Sequence, residues 1–270
     1  MITAEAVWSD VERVRREAPL VHNITNYVAM NTTANALLAI GASPVMAHAV
    51  EEVEEIVGIA SALVLNIGTL SGPWIESMFR AAAAARRKGI PIVLDPVGAG
   101  ATRLRTDTAR RLLAEARPTI VRGNASEIRA LVLADASTKG VDSSYGSEAA
   151  REAAVALSEQ FGCVVSVSGA VDLIVQGRRI AGLANGHPLM PKVTGLGCAA
   201  SALTGAFAAV DPFPFEAAAA AMAVMGIAGE MAAEGAEGPG SFQVRFLDAL
   251  HRLAQKDILL RFRSAPEHRG

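Results

Sequence analysis

The sequence predicts an α/β fold with a mostly parallel central sheet, and three observations lead there. Short β-branched or Leu-rich runs, apolar rather than alternating, recur at 62–65, 90–94, 119–121 and 164–167, as strands covered on both faces should. Helix-type segments separate these runs, an alternation that builds right-handed βαβ units. Two further runs, Asp172–Gln176 and Arg179–Leu183, flank Gly177-Arg178 as a hairpin, so the sheet should end in antiparallel strands.

In chain order, Ser9-Asp10-Val11-Glu12 has capping-box spacing and should open a helix that runs to about Glu17, ahead of Pro19. Segments 31–40, 74–88, 106–116, 148–160 and 198–210 are the next expected helices, followed by 217–233 and 242–260. Their alanine density lets helices lie close to the sheet or to one another. The polar residues 261–270 should fray. No break in composition marks a boundary, so residues 1–270 are taken as one domain.

Composition narrows the function. At 270 residues, 51% of them hydrophobic, the chain can bury a core without a disulfide or metal staple. A net charge of −2 offers no field to attract nucleic acid or an anionic membrane. Cys163 and Cys198 form no C-x-x-C pair, which argues against a zinc site or a disulfide scaffold and makes a reducing, cytoplasmic setting the default. Glu5, Asp10, Glu12 and Glu17 interrupt the first twenty residues, so no export signal is expected. Residues 193–210 are uncharged and long enough to span a bilayer. They are rich in Ala and Gly and broken by Thr194, Ser201 and Thr204, which suits a buried helix of a soluble protein.

Ligands of an open parallel sheet bind beyond the carboxyl ends of its strands. The residues just after the apolar runs are therefore the candidates: Asn66, Asp95 with Pro96 to Gly100, Arg122 to Glu127, and Ser168-Gly169. The strongest local feature is Val193-Thr194-Gly195-Leu196-Gly197-Cys198 opening an Ala-rich helix. Gly195 and Gly197 permit a tight turn that exposes amide donors at a helix N-terminus, where an anion is favoured. A plain turn with a small-residue helix contact is the alternative. No Walker-type G-x-x-x-x-G-K-[ST] occurs, which excludes an ordinary P-loop enzyme.

Asp95 stands where a carboxylate can help hold Mg²⁺ through water, or where it merely forms a turn before Pro96. Asn124 and Glu127 have capping-box spacing, and Glu127 can also present a second carboxylate toward metal-bound water. Arg122 is either a phosphate clamp or one half of a surface ion pair. Cys198 falls on the first turn of its helix, where the dipole lowers a thiol pKa, although a buried apolar role is the commoner one. Cys163 is assigned to the core. His22, His48 and His187 fall near loops without metal-ligand spacing and are assigned to no metal. The polar segment around Asn26 and Val28, and the turn before Met46, suit a small, partly apolar ligand as well as they suit capping and core packing.

The blocks VHNITNYVAMNTTANALLAIGASPVMAHAVEE, LVLNIGTL, DPVGAGATRLRT, IVRGNASEI and NGHPLMPKVTGLGC together resemble the hydroxyethylthiazole kinase family of thiamine salvage. The resemblance spans about residues 20 to 210. It implies a ribokinase-like, three-layer αβα sandwich assembled as a homotrimer. The implied activity is transfer of the ATP γ-phosphoryl to the primary alcohol of 4-methyl-5-(2-hydroxyethyl)thiazole, with Mg²⁺. Carried across, Arg122 and Ser168 contact ATP, while Met46 and Gly195 contact the thiazole. Asn26 and Val28 contribute near a subunit boundary, and Asp95 and Glu127 organise the metal and its waters. Gly195 through Cys198 form the anion hole. This chain departs from the family with Ser168 for a usual Thr, Leu196 for a smaller or hydroxylated residue, and Pro191 for a usual Thr. The rival activities are phosphorylation of the pathway's pyrimidine alcohol, ATP-driven dehydration of a damaged dinucleotide, and nucleotide binding without catalysis.

Overall fold

The computed structural model describes residues 2–132 and 143–269. Its strands are β1 (Leu20–Ile24), β2 (Ser43–Val45), β3 (Ala62–Asn66), β4 (Ile92–Asp95), β5 (Ile120–Asn124), β6 (Val164–Ser168), β7 (Asp172–Gln176), β8 (Arg179–Leu183) and β9 (Ser264–Arg269). They form one sheet in the order β2-β1-β3-β4-β5-β6-β7-β8-β9. Pairings from β2 to β6 are parallel, and those from β6 to β9 are antiparallel. The four apolar runs are thus β3 to β6, and the hairpin is β7–β8.

Two strands escaped the hydrophobic pattern. β1 carries His22 and Asn23, only 0% and 1% exposed, among its apolar residues. Each has a local partner: His22 Nε2 lies 2.7 Å from the Ala47 carbonyl, and Asn23 Nδ2 donates to the Val21 carbonyl at 2.9 Å. His22 is therefore inside a strand rather than near a loop. β2 has three residues at the sheet edge, too few to show a period. The tail expected to fray instead forms β9, because β8 offers it an open edge with which it pairs antiparallel.

The helices are α1 (Ala4–Glu17), α2 (Met30–Ile40), α3 (Val53–Ile59), α4 (Gly72–Lys88), α5 (Arg103–Ala116), α6 (Ala125–Val132), α7 (Ser143–Phe161), α8 (Leu196–Val210), α9 (Pro214–Ala233), α10 (Pro239–Arg252) and α11 (Gln255–Arg261). α1 begins earlier than expected, since Thr3 and not Ser9 caps it, accepting from the Ala6 amide at 3.2 Å. The single helix expected over 242–260 is two. Asp257 accepts from the Ala254 amide at 3.0 Å and starts α11 afresh after the break.

Alternate residues of the central strands feed two cores. Val64 and Val93 point into a layer containing α1, α2 and α8 to α11, whereas Leu63, Leu65, Ile92 and Leu94 point into one containing α3 to α7. The result is the three-layer αβα arrangement. Among the described residues the helix long and apolar enough to cross a membrane is α9, not the stretch 193–210, and its apolar window is 89% buried. β2 and β3 flank β1, so the strand order reverses there.

Candidate active site

A cleft of about 810 Å³ lies over the carboxyl ends of β4, β5 and β6 and under the N-terminus of α8. Asp95, Arg122, Glu127, Ser168, Gly195, Gly197 and Cys198 all line it. Residues as far apart as Asp95 and Cys198 meet here because each lies toward or just after the carboxyl end of a parallel strand or in the turn that begins α8.

The glycine turn is built for donors. Gly195 is the N-cap of α8 with φ +84°, a left-handed conformation that glycine adopts without strain. The Ala199 amide bonds the Gly195 carbonyl at 2.9 Å, while the amides of Leu196, Gly197 and Cys198 have no acceptor among the described residues. Leu196 turns its side chain into the core, 3% exposed, so its bulk does not obstruct the amides. Pro191 sits in a short 3-10 helix, Met190–Lys192, on the cleft wall.

Arg122, in β5, reaches across to donate to the Gly197 carbonyl at 2.9 Å. Its Nε is buried without a partner, and among the described residues no carboxylate lies within ion-pair distance. A surface ion pair is therefore not its role. Gly197 allows the approach, since a Cβ there would stand 3.2 Å from the Arg122 Nη1.

Asp95 is 1% exposed at the end of β4. Its Oδ2 accepts from Asn66 Nδ2 at 2.8 Å and from Ser201 Oγ at 2.7 Å. No side chain among the described residues is hydrogen-bonded to Oδ1. Burial pushes the carboxyl up to about 7 against the opposing pull of Arg122. Glu127 makes the capping box: its Oε2 accepts from the Asn124 amide at 2.8 Å, and its own amide donates to Asn124 Oδ1 at 3.0 Å. Oε1 accepts from the Gly98 amide at 2.9 Å, which ties the loop after β4 to α6. Ser168 Oγ donates to the Gly123 carbonyl at a long 3.4 Å.

Of the residues assigned to the acceptor, Gly195 lines the cleft and the other three lie elsewhere. Asn26 lies behind the cleft, where its Nδ2 donates to Asn66 Oδ1 at 2.8 Å and to the Cys198 sulfur at 3.2 Å. Met46, half-buried just beyond β2, and Val28, 63% exposed, do not line the cleft.

A family model described as the hydroxyethylthiazole kinase family matches residues 11–256. The chain is 60% identical over 263 residues to the hydroxyethylthiazole kinase of Syntrophus aciditrophicus, covering 97% of each. It is 62% identical over 244 residues to that of Leptospira biflexa, covering 90% of this chain and 91% of the relative. It superposes on a solved hydroxyethylthiazole kinase from Pyrococcus horikoshii with a TM-score of 0.90 at 45% identity, covering 98% of this chain and 99% of that one.

The chain belongs to the hydroxyethylthiazole kinase family.

The family's ribokinase-like fold is also seen in a pyridoxal kinase from Staphylococcus aureus, with a TM-score of 0.61 at 17% identity over 79% of this chain and 88% of that one. In this hydroxyethylthiazole kinase family member the Cys198 thiol contradicts one expectation. Its place on the first turn of α8 suggests a lowered pKa, yet burial and the Asp95 charge push it up to about 11. Cys163 is buried in the core, and burial pushes it up to about 11 as well.

Sequence reasoning missed three groups. Ser201, one helical turn after Cys198, holds Asp95. Asp172 lines the cleft, with Oδ1 accepting from the Gly169 amide at 2.9 Å, and burial pushes it up to about 6. The spacing Gly169-x-x-Asp172 was the available sign, since an Asp there can cap the turn entering a strand. Met222 and Met225 of α9 form the apolar wall, and nothing in a uniformly apolar helix announces which residues face a cleft.

Proposed function

We propose that this chain transfers the γ-phosphoryl of ATP to the primary alcohol of 4-methyl-5-(2-hydroxyethyl)thiazole, a step of thiamine salvage. The observation that carries the reading is one cleft in which unpaired helix-terminal amides face Arg122 beside the buried Asp95. Amides aimed where charge moves, in a site closed to water, stabilise phosphoryl transfer most.

Arg122 and Ser168 take the ATP phosphates, with Arg122 using the guanidinium nitrogens not spent on Gly197. The amides from Leu196 to Cys198 hold the migrating phosphoryl. Asp95 and Glu127 are the residues that would hold Mg²⁺, chiefly through water. Among the described residues no group of three or more ligating side chains exists, which suits a cation that keeps its waters and shares substrate phosphates. The free Asp95 Oδ1 is the hard oxygen such an ion needs. Bound there, Mg²⁺ supplies charge neutralisation across the phosphate oxygens.

Cys198 suits positioning better than general-base catalysis at neutral pH, because burial and the Asp95 charge push its thiol up to about 11. It orients the alcohol, whose proton passes late along a loose transition state to an oxygen of the transferred phosphoryl as ADP departs. Met46 and Gly195 contact the thiazole, Gly195 from the cleft side, and Asn26 and Val28 contribute near the boundary of a homotrimer. The exposure of Tyr27, at 68%, and Val28, at 63%, supports a second copy completing that pocket, since small apolar ligands are enclosed when bound. The protein works in the cytoplasm, with neither nucleic acid nor membrane as partner.

The test is ATP consumption with the thiazole alcohol as acceptor and mass analysis of the product, run beside the pyrimidine alcohol of the same pathway. A phosphorylated thiazole formed in preference supports the assignment. Released phosphate with no phosphorylated alcohol overturns it.

A further inference from the structure

Asn66 ends β3 directly opposite Asp95 in the β3–β4 register, 1% exposed and outside the cleft. An amide this deeply buried is costly unless it is hydrogen-bonded. Its Oδ1 accepts from Asn26 Nδ2 at 2.8 Å and from the Gly68 amide at 3.0 Å, and its Nδ2 donates to Asp95 Oδ2 at 2.8 Å. Asn26 is equally committed: its Oδ1 accepts from the Ala29 amide at 3.0 Å, and its second Nδ2 contact is the Cys198 sulfur at 3.2 Å.

The direction of each bond follows from the one before. Asp95 Oδ2, already the acceptor for Ser201, turns the Asn66 nitrogen toward itself. The Asn66 oxygen then faces Asn26, which answers with its nitrogen. The other proton on that nitrogen reaches sulfur. Flipping Asn66 would set its oxygen against Asp95 and its nitrogen against Asn26, and flipping Asn26 would set oxygen against oxygen.

We infer that Asn66 is a positioning residue: by bridging Asp95 and Asn26, it delivers an N–H donor to the Cys198 sulfur and so fixes the thiol's orientation in the cleft. The link to turnover rests on the proposed role of Cys198 beside the acceptor alcohol. The hydrogen-bonded chain itself does not. A sulfur that accepts from Asn26 aims its own S–H away from that amide, and the donor favours charge on sulfur.

Asn66→Leu keeps the branched side-chain shape and removes the amide. Peptide-resolved iodoacetamide labelling of Cys198, without nucleotide or acceptor, should slow by about fivefold at fixed mildly alkaline pH, because the thiolate loses its donor. Cys163, 2% exposed, serves as the unreactive reference. In turnover, kcat should fall about tenfold while KM for both substrates stays within about twofold. Mere loosening of the core would open the pocket and speed labelling, the opposite sign. Unchanged or faster labelling in a folded Asn66→Leu protein overturns the inference. If that variant does not fold, Asn26→Ala cuts the last link, and the same slowing is expected of it; unchanged or faster labelling there overturns the inference equally. Labelling needs no substrate, so a wild-type protein that fails to phosphorylate the thiazole alcohol sinks the proposed function without touching this result.

Discussion

The Arg122 guanidinium donates to the Gly197 carbonyl across 2.9 Å, joining β5 to the first turn of α8. One side chain thereby sets the distance between the sheet edge and the amides proposed to grip phosphate. Lysine has the charge but lacks the fork. Arg122→Lys should lower kcat/KM for ATP by about a hundredfold, with kcat itself reduced. Steady-state kinetics decide the matter; a rise in KM alone would assign Arg122 to ground-state binding only.

The two glycines of the turn should fail differently. Gly195 has φ +84°, and an added Cβ would sit 3.4 Å from the Thr32 Cβ. Gly195→Ala should cost about 1–2 kcal/mol through the left-handed backbone, visible in urea melts, along with most of the activity. Gly197 has no such φ, but its Cβ would press on Arg122 at 3.2 Å. Gly197→Ala should therefore spare stability and weaken ATP handling. Equal stability losses in both variants would contradict this division.

Glu127 has a structural duty whatever else it does, since both its oxygens accept backbone amides. Glu127→Ala should lose about 1–2 kcal/mol, the cost of an N-terminal cap. It should also raise the Mg²⁺ concentration needed for half-maximal turnover. A magnesium titration that superposes on wild type would confine Glu127 to capping.

Asp10 of α1 faces Asp211, just past α8. Burial first, then the Asp211 charge and a hydrogen bond to it, push Asp10 up to about 7; Arg13 opposes the shift and Glu216 adds to it. A carboxyl whose folded pKa is raised contributes stability that is complete below its ordinary value of 3.8 and is lost as pH rises through about 7. Asp95, at about 7, and Asp172, at about 6, act with the same sign. The three carboxyls outweigh buried His22, whose lowered pKa acts with the opposite sign up to about 6.5, so the melting temperature should fall between about pH 5 and about pH 8, and Asp10→Asn should flatten part of that slope. A midpoint that climbs across this window would refute the assignment.

The sequence alone determined the architecture wherever pattern and position coincide. Largely apolar, non-alternating runs named β3 to β6, because a strand covered on both faces has no polar side to show. The residues after those runs, Asp95, Arg122, Glu127 and Ser168, were legible as site candidates, because every parallel strand ends on the same edge. Gly195 and Gly197 were legible because few residues other than glycine serve such a turn.

Tertiary structure decided the rest. β1 was hidden because His22 and Asn23 are buried by helices contributed from elsewhere in the chain, and β9 exists only because β8 leaves an edge for it. The behaviour of Cys198 changed for the same reason. Its place on α8 lowers a thiol's pKa in isolation, whereas desolvation and the charge of Asp95, about a hundred residues away in the chain, act only once the sheet has formed. The amides of Asn26 and Asn66 likewise acquire direction from Asp95, a carboxylate that local sequence cannot place beside them. Hydrophobic periodicity and turn chemistry are properties of neighbours in the chain. Desolvation and hydrogen-bond polarity are properties of neighbours in space.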